Sequence, residues 1–262
     1  MEDIKIGVTV LGSGSKGNAT LIHSGERILL IDNGFSCKEF CKRCAEKGID
    51  PQNIVAILIS HEHSDHSKGV RVLSKKFNIP VYSTPGTMRH LTNKNLTAEN
   101  NFIFEPGSSF EVEKFHVEVF SIPHDAMQPV GFVIRVNDKK IGLATDFGHF
   151  TRLILQRLYA CDLLAIETNY DLDLLKQSNR GLGLIRRIMG PNGHLDNKTT
   201  MENLDLLLTE KTKYLILAHL STDCNDYNLV KKLIAETLEK INRSSIVTLI
   251  AKQDSSLPTV WL

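Results

Sequence analysis

Long apolar runs are missing from this 262-residue sequence. None approaches the roughly 20 residues that a membrane-spanning helix needs, so no span is expected. The opening residues Met1-Glu2-Asp3-Ile4-Lys5 carry two acids, and no long apolar stretch precedes Gly12, which argues against a secretory leader. Cysteine is sparse: five residues, an odd count without paired spacing, read as free thiols of a reducing compartment, with the cytoplasm as the expected location. Net charge is nearly absent too. Lys and Arg number 31 against 30 Asp and Glu, a formal +1, so no global basic field advertises nucleic acid and any such footprint must be local. Linkers, repeats and low-complexity tracts are also lacking. With enough residues for a sizeable core, the chain is expected to form a single domain over residues 1–262.

Against these absences stands one dense stretch, Ser60-His61-Glu62-His63-Ser64-Asp65-His66, directly after the apolar run 54–59. A β-branched and aliphatic run followed at once by polar residues is the pattern of a buried strand ending at an active-site rim. In extended backbone, residues two apart point the same way, so His61 and His63 can grip one ion while the neighbours Asp65 and His66 point apart, a divergence that suits a second ion. Imidazole and carboxylate without thiolate form a hydrolytic ligand set more than a structural one, which weighs against a histidine-rich surface loop or a structural zinc.

Two other motifs invite a function and are better read otherwise. Gly12-Ser13-Gly14-Ser15-Lys16-Gly17-Asn18 lacks the phosphate-loop spacing and is followed by a strand pattern, so it reads as a tight turn whose backbone N–H groups and Asn18 can line the rim of a cleft. Cys37, Cys41 and Cys44 have the spacing of an iron–sulfur motif. The same positions also form one face of an amphipathic helix over 36–47 stopped by Gly48, and that reading is preferred.

Elsewhere the chain keeps a strand-helix-strand rhythm and repeatedly sets a chemically able residue just past an aliphatic run. Asp32 follows 27–31, His124 follows the alternating strand 115–122, Asp146 follows 140–144 and His219 follows 214–218, while His194 stands in a loop flanked by glycine and proline. Asp32 is read as a supporting group, and His116 and His149 as exposed residues. Helices are expected at 69–77, 85–91, 181–189, 198–208 and 228–240, and strands at 81–83, 102–104, 131–136, 161–166 and 246–250.

His61-x-His63-x-Asp65-His66, closed by Gly69, resembles the signature loop of the metallo-β-lactamase superfamily, with Ser60 where threonine is usual. That resemblance implies an α/β fold, a four-layer αβ/βα sandwich, and a metal-dependent hydrolase. It assigns His61, His63 and His124 to one divalent metal and Asp65, His66 and His219 to a second, with Asp146 between them. Imidazole and carboxylate ligands serve Zn²⁺ and Mn²⁺ alike. Such a pair can share a hydroxide as nucleophile, with Asp65 and His194 as the catalytic residues: Asp65 orients the attacking water and His194 neutralises or protonates the leaving oxygen.

Over almost the whole chain the sequence is similar to the WalJ (YycJ, VicX) branch, relatives of PhnP-like phosphodiesterases and more distantly of ribonuclease Z. The similarity rests on 13–18, 30–34, the histidine loop, 124–126 with 129–132, 144–146, Gly193-His194-Leu195 and 217–221. Tyr170 stands where that branch has histidine, and Cys224 where it has asparagine. The branch implies a 5′-to-3′ DNA exonuclease, with DNA as the partner. A basic track is then needed, for which Lys16, Arg71, Lys75, Lys76, Arg180, Arg186, Arg187 and Lys198 are the candidates. The alternatives are a phosphodiesterase for small cyclic or nucleotide diesters and a non-catalytic binding module. Thioester or β-lactam hydrolysis is disfavoured by Gly193-His194.

Overall fold

The computed structural model describes residues 4–262; Met1, Glu2 and Asp3, part of the opening stretch read above, lie outside the described residues. The first half of the chain runs β1 (Ile6–Gly12), β2 (Ala19–Ser24), β3 (Arg27–Ile31), α1 (Cys37–Glu46), β4 (Ile54–Leu58), α2 (Ser64–Ser67), α3 (Val70–Phe77), β5 (Val81–Ser83), α4 (Pro85–Asn93) and β6 (Asn101–Ile103). The second half runs β7 (Ser109–Val112), β8 (Phe115–Ser121), β9 (Val130–Val136), β10 (Lys139–Ala144), α5 (Arg152–Leu158), β11 (Leu163–Glu167), α6 (Leu172–Gln177), α7 (Leu182–Ile188), α8 (Asn197–Leu207), β12 (Tyr214–Ala218), α9 (Tyr227–Lys240), β13 (Val247–Ile250) and β14 (Val260–Trp261).

These strands make two seven-stranded mixed sheets, ordered β14-β1-β2-β3-β4-β5-β6 and β13-β12-β11-β10-β9-β8-β7. In each, an antiparallel portion gives way to a parallel one, at β3–β4 in the first and at β10–β11 in the second. The parallel strands read as unbroken aliphatic runs because both of their faces are buried. In β3, Leu29 and Ile31 point into the seam between the sheets, while Ile28 and Leu30 point outward beneath helices. The second sheet repeats the pattern in β12, where Ile216 and Ala218 enter the seam and Leu215 and Leu217 face the helices.

Phe40 and Cys44 of α1 and Val70 and Leu73 of α3 cover the first sheet. Ile154 and Leu158 of α5, Leu204 and Leu207 of α8 and Val230, Ile234 and Leu238 of α9 cover the second. Intervals of three and four residues put each set on one helical stripe. The result is the four-layer αβ/βα sandwich. Side chains of Ser36, Thr84, Thr151, Asp171, Asp196 and Asp226 accept hydrogen bonds from N–H groups in the first turns of the helices they precede, which fixes those boundaries.

The structure departs from the sequence reading in two ways. One turn of helix, α2, begins inside the histidine stretch, so the backbone is extended only as far as His63. The second departure is that the sequence reading does not include β7, β14, α5 and α6, two short strands and two helices of seven and six residues.

Candidate active site

All the strands that deliver polar residues end at the same edge of the sandwich, where ligands of parallel sheets gather beyond the carboxyl ends. Asp32 follows β3, Ser60 and His61 follow β4, Asp146 follows β10, Glu167 closes β11 and His219 follows β12. Three of these residues have left-handed backbone, Asp32 at φ 59, Asp146 at φ 62 and His219 at φ 57. Aspartate and histidine tolerate that region better than most residues, and its use here turns each side chain back over the strand ends.

Around this edge the structure brings together His61, His63 and His124 as one group of convergent ligand atoms, and Asp65, His66, Asp146 and His219 as a second. A third group, Asp146, Glu167, His194 and His219, shares two members with the second. Every site residue named from the sequence is therefore present in one cluster. One expectation is corrected: Asp65 and His66 converge, with Asp65 Oδ2 3.5 Å from His66 Nε2, because they sit on the turn of α2 and not on extended chain. Gly69 is needed where it stands, since a Cβ there would overlap the carbonyl oxygen of Phe35.

The imidazoles share one arrangement. His61 Nδ1–H donates to Ser60 Oγ at 3.0 Å, and that hydroxyl in turn donates to Asp32 Oδ2 at 2.8 Å. His66 Nδ1–H donates to Asp32 Oδ2 at 2.8 Å, His124 Nδ1–H to the Gly193 carbonyl at 3.2 Å and His219 Nδ1–H to Glu167 Oε1 at 3.1 Å. In each case Nδ1 is engaged by the protein and Nε2 is left for another partner, which is how metal-binding histidines are held. Nε2 of His124 faces Nδ1 of His63 at 3.3 Å. Nε2 of His61, Nε2 of His219 and Oδ2 of Asp146 are fully enclosed yet have no hydrogen-bond partner. Enclosing unpaired polar atoms is unfavourable by a few kcal/mol each, so three at this edge of the sandwich point to electrophilic partners. The donor set fits a divalent metal.

Charge in the cluster is balanced by protons where no cation is bound. Burial alone would lower His66 and His219, but the Asp146 carboxylate, joined by Asp32 and Asp65 at His66 and by Glu167 at His219, outweighs it. His66 is held well above its ordinary value and His219 rises to about 10. Burial would raise Asp146, yet His219 and His66 pull its carboxyl well below the usual range. His61 is pushed well below its ordinary value by burial and by neighbouring His66. A divalent cation would take over the role of these protons.

Glu167 was missed by the sequence reading, though it closes an aliphatic run just as Asp146 follows one. It is fully buried. Its Oε1 accepts from His194 Nδ1–H at 2.7 Å as well as from His219, and its Oε2 accepts from the Phe147 N–H at 2.9 Å. Against the opposing effect of burial, this carboxylate raises His194 above its ordinary value. Asn18 Nδ2, from the glycine-rich turn, lies 3.0 Å from His66 Nε2. Ser13 of the same turn accepts from the His219 N–H at 2.9 Å.

Beside His194 and His219 opens a cavity of ≈ 140 Å³, also lined by Arg180 and Arg187. Other basic candidates line different depressions. Arg71 and Lys75 line a different cleft with Glu99, Lys76 Nζ lies 3.9 Å from Cys41 on α1, and Lys198 lines a third depression next to α9. His149 is exposed to solvent on one side and donates to the Pro191 carbonyl at 2.8 Å, outside the cluster.

A profile of the Beta-lactamase superfamily domain matches residues 27–219. Exodeoxyribonuclease YycJ of Bacillus anthracis is 32% identical over 235 residues, covering 88% of this chain and 89% of that protein. Exodeoxyribonuclease WalJ of Streptococcus pneumoniae is 32% identical over 229 residues, covering 86% of this chain and 85% of that protein. Among solved structures, the metallo-β-lactamase fold protein YhfI from Bacillus subtilis superposes with a TM-score of 0.73 at 16% identity, over 96% of this chain and 99% of that one. Two relatives of matching length, a profile spanning both sheets and a shared four-layer fold have one common explanation: the chain belongs to the metallo-β-lactamase superfamily and is a metal-dependent hydrolase.

Proposed function

We propose that this chain, as one domain over residues 1–262, is a binuclear metal-dependent DNA exonuclease that works from the 5′ end. The observation that carries the metal part is the set of four imidazoles whose Nδ1 atoms are engaged by the protein and which join His63, Asp65 and Asp146 in two groups of convergent ligand atoms. In this reading His61, His63 and His124 hold one Zn²⁺ or Mn²⁺, Asp65, His66 and His219 hold the other, and Asp146 lies between them. When bound, the two ions supply an acidified water and neutralise charge on the phosphate under attack.

The rest falls to the chain itself. Asp65 is steadied by Asn18 Nδ2, 3.4 Å from Oδ2, and orients the attacking water toward phosphorus. His194, its Nδ1–H committed to Glu167, presents Nε2 to the cavity and gives its proton to the leaving oxygen. Glu167 keeps that imidazole in position and favours its charged form. Arg180 and Arg187 border the path by which an anionic substrate would enter.

DNA as substrate is supported by the exodeoxyribonucleases YycJ and WalJ, which match over most of their length, while the 5′ polarity rests on the resemblance of the sequence to their branch. The test is a Zn²⁺ and Mn²⁺ titration on 5′- and 3′-labelled DNA, with metal content measured in parallel. Early release of the 5′ label, lost in His194→Ala without loss of metal, is the expected result. No product with either metal would sink the nuclease reading. A phosphodiesterase for small diesters is the second reading, favoured by the confined cavity of ≈ 140 Å³. Turnover of a chromogenic small diester without DNA cleavage would select it.

A further inference from the structure

Residues 172–189, comprising α6, α7 and their connection, bury little of their apolar surface. Leu175 and Ile188 anchor the segment against Tyr170 and Cys224. Ile185 packs against the same cluster, and the remaining large apolar side chains face outward: Leu182 is 72% exposed, and Leu172, Leu174, Leu184 and Met189 are each more than a third exposed. Gly181 and Gly183 flank Leu182, and neither has an atom within 4 Å of where its Cβ would sit, so the leucine stands clear of its own fold. Such a concentration of leucine on the surface marks a contact site more often than chance.

The same segment carries Lys176, Arg180, Arg186 and Arg187 against one acid, Asp173, in a chain whose total is only +1. Arg180 is paired with Asp223 and Arg187 with Asp125, whereas Lys176 and Arg186 have no ion-pair partner among the described residues. Position completes the case, because Leu184, Arg180 and Arg187 line the same cavity as His194 and His219. An occupant must offer apolar faces and negative charge together and must lead into the reacting centre. Unpaired nucleotides do so, since bases present apolar faces and their backbone is anionic. A second copy of the segment would oppose like charge to like.

We propose that the α6–α7 segment is a platform for the unpaired terminal nucleotides of a DNA strand. Leu182 and Leu184 cover bases, Arg186 and Lys176 meet phosphates, and the site takes a single-stranded or frayed end in preference to a closed duplex. This inference rests on the nuclease reading above.

The test compares parent, Leu182→Ser and Leu182→Phe on a single-stranded oligonucleotide, a blunt hairpin of the same sequence and a chromogenic small diester. Leu182 is exposed, so neither substitution threatens folding. Serine is expected to raise the KM for the single strand about tenfold with kcat retained. Phenylalanine is expected to restore it, and the parent should favour the single strand over the hairpin. The ratio of oligonucleotide to small-diester kcat/KM should therefore fall in the serine variant alone. An unchanged oligonucleotide KM in Leu182→Ser, or an equal loss on all three substrates, would overturn the proposal while leaving the nuclease reading intact. Conversion of a parental dimer to a monomer by Leu182→Ser, with KM unchanged, would overturn it in favour of a second copy. A parent that turns over the small diester and no DNA would remove the nuclease reading itself, and the platform with it.

Discussion

Glutamine in place of Glu167 changes one atom and leaves the shape intact, yet it should be among the most damaging substitutions in the protein. The carboxylate accepts on both sides: from His194 and His219 at Oε1, and from the Phe147 N–H at Oε2. An amide has one oxygen and one NH₂. Turned toward the backbone, its NH₂ confronts the Phe147 N–H; turned the other way, it confronts two imidazole N–H groups. Either orientation leaves buried donors without acceptors, at about 1–3 kcal/mol each, and removes the buried negative charge that compensates His194 and His219. Together these give a destabilisation on the order of 3–5 kcal/mol.

The sign with pH is fixed by the carboxyl itself. Burial works to raise it, but His194 and His219 outweigh that and hold it below the usual carboxylate range. Its contribution is fully present at neutral pH and fades as pH falls through that lowered value. Urea unfolding of the metal-free protein at pH 7 measures the effect, with Glu167→Asp as a control that keeps the charge on a shorter arm. A shift in stability below about 0.5 kcal/mol for Glu167→Gln would refute the reasoning, since that is the range of an ordinary surface substitution.

Metal removal should lower stability through the same cluster. At a free metal concentration 1,000-fold above its Kd the gain is about 4 kcal/mol, so chelation should produce a clear fall in the thermal midpoint that Zn²⁺ or Mn²⁺ reverses. Asp146→Ala and His63→Ala should reduce bound metal as well as activity, and full metal content with full activity in either would contradict the ligand assignment. His23, far from the cluster, hydrogen-bonds Thr9 Oγ1 at 2.9 Å, and burial lowers it from 6.5 to about 4. The neutral ring is the one the fold accepts, so its contribution is complete above pH 6.5 and lost on acidification toward pH 4. Between pH 7.5 and 4.5 this amounts to about 2.5 kcal/mol, and the urea stability of His23→Asn should drop by that much less than the parent's over the same interval.

Much of this architecture was legible in the sequence because burial on both faces leaves an unmistakable trace. Aliphatic runs such as Leu163–Glu167 and Tyr214–Ala218 admit no polar interruption until the strand ends, so the first polar residue after each run announced the site edge. The histidine loop, Asp146 and His219 were found by that rule, and His124 from its place at the end of the alternating strand 115–122 together with the resemblance of the histidine loop. Glu167 obeys it too, but it is the last residue of its strand, and nothing in the sequence alone says that its carboxylate reaches two imidazoles from strands and loops far along the chain. The basic candidates could not be placed together for a related reason: cations separated by dozens of residues share a face only if the fold brings them together, and Arg71 and Lys198 line different clefts.

Backbone conformation is the part that no pattern of residue types revealed, and at Asp32 it reverses an ordinary rule. Alanine normally outranks glycine in stability because it loses less freedom on folding. Asp32, however, sits at φ 59, where a Cβ crowds the following carbonyl oxygen at roughly 1–2 kcal/mol. Asp32→Gly and Asp32→Ala both lose the bonds to Ser60 and His66, so the difference between them isolates the backbone. Asparagine tolerates the left-handed region and can still accept from the Ser60 N–H, though it no longer offers a carboxylate to His66 Nδ1–H. The expected order of stability by urea midpoint is therefore Asn, then Gly, then Ala, with about 1 kcal/mol between the last two. Alanine above glycine would mean that the turn after β3 is not left-handed, and the explanation of how Asp32, Asp146 and His219 are aimed at one point would fall with it.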